Sequence, residues 1–118
     1  MGNVLTVDDS EPMRKLVGMV LANDGHQVTT ACNGAEALLR MNEQQFDLMV
    51  TDINMPVLSG AQLIAQVREN NIDLPILVLT TENQKSMFAA GKAIGANGWV
   101  QKPFQPKQFS DMVRRLLH

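Results

Sequence analysis

The chain has 118 residues, the size of one domain that buries roughly two thirds of the surface its unfolded form exposes. Ten basic against twelve acidic residues leave a net charge of -2, and no run of Lys or Arg is long enough to follow a phosphate backbone, which argues against nucleic acid as a direct partner. No apolar stretch reaches the roughly 18 residues of a membrane span, "MGNVLTVDD" turns acidic where a signal peptide would stay apolar, and the lone Cys32 cannot form an internal disulfide, so a cytoplasmic protein that touches no membrane is expected.

The first apolar run, Val4 to Val7, reads as a strand and stops at Asp8 and Asp9. Ser10 is then placed to cap a helix, with Glu11 and Pro12 in its first turn and Met13, Leu16, Val17 and Val20 as its buried stripe. Gln27 to Ala31 form a second strand, and Ala35, Leu38 and Leu39 mark a shorter helix. The third strand, Leu48 to Thr51, stops at Asp52 in "LMVTDINMP", and Gly60, Leu63, Ile64 and Val67 line the helix after it. Ile76 to Thr80 make a fourth strand ending in Thr80 and Thr81; Met87, Ala90, Gly91 and Ile94 repeat the helical spacing. A fifth strand, Gly98 to Gln101, leads to Lys102, and Phe109, Met112, Val113 and Leu116 line a last helix. Strands alternating with helices predict an α/β fold, a doubly wound five-stranded parallel sheet flanked by five helices. The first, third and fourth strands are nearly continuous apolar runs and belong in its interior.

In such a sheet the C-terminal strand ends share one edge, where ligands bind. Asp8, Asp9, Asp52, Thr80 and Lys102 all follow or end strands and would face that edge. If strands one and three are neighbours, as in the order 2-1-3-4-5, Asp8, Asp9 and Asp52 converge. Three such carboxylates repel unless a cation sits among them, and hard oxygen ligands favour magnesium. Taken singly, Asp8 or Asp9 is a cap or turn residue and Lys102 a surface charge; the constellation carries the reading. Metal, ammonium and hydroxyl together suit a phosphoryl group carried on a carboxylate, and Asp52, alone at the end of a central strand, is the best nucleophile candidate.

"VDDSEPMRK", "FDLMVTDINMPVLSG", "ILVLTTE" and "GANGWVQKPF", in that order and spacing, resemble the receiver domain of two-component response regulators, and most of all its stand-alone CheY-like chemotaxis members. The strand order 2-1-3-4-5 is the one that this resemblance implies; the residues by themselves leave the order open. The resemblance spans nearly the whole chain and implies a single receiver domain over residues 1–118 with no output domain. It implies that Asp52 accepts a phosphoryl group from a phosphohistidine of a sensor histidine kinase. Magnesium would be held by Asp8, Asp9, Asp52 and the backbone carbonyl of Asn54, with Asp9 the more direct ligand. Thr80 would hydrogen-bond the phosphoryl oxygen, and Lys102 would pair with it beside a cis bond to Pro103. Asn54 and Glu82 stand where the family tunes the lifetime of the phosphoryl group. Thr81 departs from the smaller residue common there, and Trp99 departs from the usual Tyr or Phe of the switch position.

The function so implied is a signalling protein that catalyses its own phosphorylation and slow dephosphorylation. Its output face would be made by the fourth helix, fifth strand and fifth helix, with Lys85, Phe88, Lys92, Trp99, Gln108 and Arg115 meeting a target such as a motor switch protein, and a phosphatase is a possible further partner. Chemotaxis or motility is the leading pathway; a phosphate sink or a pilus or biofilm regulator is the alternative. A flavin-binding flavodoxin-like domain shares the architecture but wants a Ser/Thr/Gly-rich loop where this chain has "DDSEP". A phosphatase of the haloacid dehalogenase type wants D-x-D where this chain has D-D.

Overall fold

The computed structural model describes residues 2–70, 73–83, 85 and 95–117. Its five strands, β1 (Asn3–Val7), β2 (Gln27–Ala31), β3 (Leu48–Thr51), β4 (Ile76–Thr80) and β5 (Gly98–Gln101), form one parallel sheet in the order β2-β1-β3-β4-β5. Four helices are described: α1 (Glu11–Asn23), α2 (Gly34–Glu43), α3 (Gly60–Asn70) and the C-terminal α4 (Pro106–Leu116). The helix expected over Met87, Ala90, Gly91 and Ile94 lies outside the described residues, as do Phe88 and Lys92. No helix among the described residues is long and apolar enough to cross a membrane.

Alternation of side chains along the strands divides the core into two layers. Leu5, Val7, Met49, Ile76 and Val78 point to one face, where they pack with Ala37 of α2 and Leu63, Ile64 and Val67 of α3. Val4, Leu48, Val50, Leu77, Leu79 and Val100 point to the other, against Val17 and Leu21 of α1 and Phe109 and Val113 of α4. Helices on both faces are why β1, β3 and β4 need continuous apolar runs. β1 extends one residue further than its apolar run, because Asn3 continues the parallel register opposite Gln27.

The expected stripes of α3 and α4 face the sheet, but those of α1 and α2 are rotated. Leu16 is 44% exposed, since the inner face of α1 centres on Val17 and Leu21, and Leu16 lies about 100° round the helix from Val17. In α2 the buried residues are Gly34 and Ala37, with Leu38 and Met41 half-buried beside Ala37. Ala35 and Leu39, each two residues from Ala37 and so about 160° round the helix, face outward.

Local signals set the helix starts. The Ser10 side chain accepts from the Met13 N–H, and Asn33 caps α2 by accepting from the Glu36 N–H. At α3, Ser59 and Gln62 exchange bonds, Gln62 N–H to Ser59 Oγ at 3.2 Å and Ser59 N–H to Gln62 Oε1 at 3.0 Å, a reciprocal capping box. The loop between β3 and α3 turns sharply at Val57, whose φ is 72°, with the Leu58 N–H bonded to the Pro56 carbonyl at 2.8 Å.

Gly60 lets α3 begin directly under the end of β3. Its N–H donates to the Ile53 carbonyl at 2.8 Å, and a Cβ at this position would stand 2.0 Å from the Asp52 carbonyl oxygen and 2.7 Å from Ile53 Cα. Backbone cannot give way as a flexible side chain can. Gly60→Ala should therefore lower the unfolding free energy by about 1 to 3 kcal/mol, measured by urea denaturation, by pushing the Asp52 loop away from α3.

Candidate functional site

The last rungs of the sheet bring the polar residues to one edge. The Asp8 N–H donates to the Ala31 carbonyl at 3.1 Å, the Asp52 N–H to the Val7 carbonyl at 3.1 Å, and the Lys102 N–H to the Thr80 carbonyl at 2.7 Å. Beyond those bonds each chain leaves its strand, and the side chains of Asp8, Asp52 and Lys102 turn toward one another. The Lys102–Pro103 peptide is cis, as the resemblance implies.

Lys102 Nζ lies 2.7 Å from Asp8 Oδ2 and 3.0 Å from Asp52 Oδ2, and none of the three side chains is more than 12% exposed. Burial pulls the Lys102 pKa down, but the hydrogen bonds that its ammonium donates to Asp8 and Asp52, together with their charges, outweigh it and leave the pKa raised. Both carboxylates are also held from the backbone: the Ser10 N–H donates to Asp8 Oδ1 at 2.9 Å and the Ile53 N–H to Asp52 Oδ1 at 2.6 Å.

Asp9 differs from its neighbour. It is exposed and has no hydrogen-bond partner among the described residues, yet one carboxylate oxygen each from Asp8, Asp9 and Asp52 lie within 4.8 Å of one another. Such a set of hard oxygen donors, one of them unengaged, fits a divalent cation of the magnesium type that keeps several waters.

Thr80, at the end of β4, is fully buried, and its hydroxyl accepts from the Glu82 N–H at 3.4 Å. Glu82 is the centre of the next layer. Its carboxylate accepts from Asn54 Nδ2 at 2.8 Å, which joins the loop after β3 to the loop after β4. Its carbonyl accepts from Trp99 Nε1 at 3.1 Å, so the half-buried indole on β5 is tied to that loop. Gln101 Nε2 adds a bond to the Thr81 carbonyl at 3.2 Å.

Arg14 is a member of the site to which the sequence reading assigns no role, although it lies within "VDDSEPMRK". From α1 its Nη1 donates to the Asp8 carbonyl at 2.7 Å, and it lines a cavity of about 10 Å3 together with Thr6, Asp8, Thr51 and Asp52. The Thr6 hydroxyl there is the one buried polar side-chain atom without a partner among the described residues. The signal for Arg14 is slight, its place one turn beyond the Ser10 cap.

The family model described as "Response regulator receiver domain" matches residues 4–114. The chain belongs to that family. Its likeness to Vibrio cholerae chemotaxis protein CheY4 is 40% identity with a TM-score of 0.90, covering 98% of both chains. The response regulator protein TrrA from Thermotoga maritima, solved in complex with Mg2+–BeF, is 30% identical with a TM-score of 0.89, covering 98% of this chain and 99% of that one. Among curated proteins, the alkaline phosphatase synthesis transcriptional regulatory protein PhoP of Bacillus subtilis is 33% identical over 97% of this chain but only 48% of its own length. The chain spans about half the length of the curated relatives it matches. It is thus a receiver domain of two-component signalling with the doubly wound CheY-like fold.

The raised Lys102 pKa has a direct consequence for stability. A folded-state pKa above the unfolded value means that the charged ammonium stabilises the fold fully below the ordinary lysine pKa of 10.5 and is lost as pH rises through the raised value. In metal-free buffer, the gap in unfolding free energy between wild type and Lys102→Met should stay level from neutral pH to about 10 and close above it. Urea titrations across that range measure the gap, and one independent of alkaline pH would contradict the assignment.

Proposed function

We propose that Asp52 accepts a phosphoryl group from a phosphohistidine of a sensor histidine kinase in the cytoplasm. One observation carries this reading: Asp52 lies within reach of two further carboxylates on one side and of the Lys102 ammonium at 3.0 Å. Asp8, Asp9, Asp52 and the Asn54 carbonyl would hold magnesium, which when bound neutralises charge on the transferring oxygens. Support for this metal comes from the donor chemistry and from the similar TrrA, solved with Mg2+–BeF.

The chain's own residues do the rest. The Asp52 carboxylate attacks phosphorus as the bond to the histidine nitrogen breaks, and the Ile53 N–H holds one of its oxygens in place. Lys102 is already on the carboxylate and follows the charge onto the phosphoryl oxygens. The Thr80 hydroxyl turns to the same oxygens and gives up the Glu82 N–H. Asn54 and Glu82, bonded across the mouth of the site, limit how water reaches it and so tune the lifetime of the phosphoryl group, which makes them the place for a phosphatase to act.

Output leaves through the side of the molecule that carries Trp99 on β5 and Gln108 and Arg115 on α4, with Lys85 beyond β4 as a further contact. Trp99 is the switch, because its bond to the Glu82 carbonyl transmits any shift of the Thr80 loop. The likeness to CheY4 over 98% of both chains favours chemotaxis, with a motor switch protein as target. A second reading, control of transcription, is favoured by the curated relatives, PhoP among them, which are transcriptional regulators about twice as long as this chain.

Incubation with acetyl phosphate and magnesium should add one phosphoryl mass to wild type and none to Asp52→Asn in intact-mass spectra. An unchanged adduct in the variant would refute the acceptor. Because Trp99 is the only Trp, its emission reports the switch. Beryllofluoride with magnesium should shift that emission in wild type and much less in Thr80→Ala, while identical spectra with and without bound activator would remove Trp99 from the switch.

A further inference from the structure

We propose that Arg14 is a positioning residue that aims Asp9 at the metal, an inference that rests on the magnesium site proposed above. Asp8 is held almost completely: its N–H by Ala31, one carboxylate oxygen by Ser10 and the other by Lys102. What is left is its carbonyl, which stands past the last rung of β1 and has no strand partner. Arg14 Nη1 takes it, at 2.7 Å.

That carbonyl belongs to the peptide plane joining Asp8 to Asp9. The plane is rigid, so fixing the direction of its oxygen fixes where Asp9 leaves it. No other hydrogen bond restrains Asp9 among the described residues, although its carboxylate must meet those of Asp8 and Asp52 within 4.8 Å. Charge-assisted bonds are short and roughly twice as strong as neutral ones, which suits a group asked to hold a loop. Pro12 in the first turn and the Ser10 cap anchor the helix that carries Arg14, so the restraint runs from α1 back to the metal ligand.

Charge and positioning predict opposite signs. A guanidinium beside a cation site repels the cation, so if charge were its whole effect, removing it would tighten magnesium binding. If Arg14 positions Asp9, removing it weakens binding, as loss of an outer partner of a metal ligand does.

Calorimetric titration of the full chain with magnesium chloride alone, without phosphodonor, separates the two. Arg14→Met should bind magnesium about tenfold more weakly than wild type. Arg14→Lys, which restores a cationic donor, should recover part of that loss. Melting curves in chelator check that each variant is folded. Should Arg14→Met fail to fold, the same titration of Arg14→Gln, which lacks both the charge and the reach, decides in the same way. Unchanged or tighter binding in the neutral variant would overturn the positioning role while leaving the metal site intact. Wild type that takes up no magnesium would overturn both.

Discussion

One ammonium group between two carboxylates governs the geometry of this edge of the protein. Lys102 leaves β5 to reach Asp8 beyond β1 and Asp52 beyond β3, and so joins the end of an edge strand to the ends of two interior ones. Removing one partner from a buried charge cluster leaves the others uncompensated, which costs far more than a surface pair contributes. The arrangement holds the Asp52 carboxylate between the Ile53 and Asn54 N–H groups on one oxygen and the Lys102 ammonium on the other.

Around that centre the polar contacts form a second ring. Arg14 holds the loop after β1, Asn54 and Glu82 join the loops after β3 and β4, and Trp99 ties β5 to the same Glu82. Glu82 therefore uses its N–H, its carbonyl and its carboxylate on three different elements. A displacement of the Thr80 hydroxyl cannot be confined to β4. Through Glu82 it reaches both the loop after β3 and Trp99 on β5.

Much of this is legible in the sequence because a parallel sheet covered on both faces demands uninterrupted apolar runs that end at polar residues. β3 and β4 begin and end where such runs do, β2 and β5 at the sheet edges keep the expected bounds, and the polar residues past β1, β3 and β5 are the ones that meet at the edge. The inner faces of α1 and α2 are less legible, because short stripes such as Ala35, Leu38 and Leu39 fit more than one rotation of a helix. Arg14 stands within "VDDSEPMRK", but its contact is hidden, because a bond to a backbone carbonyl leaves no pattern in the type of its partner. The pairing of Asn54 with Glu82 is hidden in another way: both stand at telling positions, but nothing in a linear reading says that residues 28 apart touch.

The separation between Lys102 and Asp8 has a consequence for folding. They are 94 residues apart, and Asp52 lies 50 from Lys102, so the cluster draws on the beginning, middle and end of the chain. Contacts of such long sequence separation form late, once loop closure has been offset by the sheet between them. A nascent or partly unfolded chain thus carries its aspartates dispersed, without their ammonium partner. The three charged side chains can meet only once β5 has joined the sheet, so the cluster is complete only when the fold is.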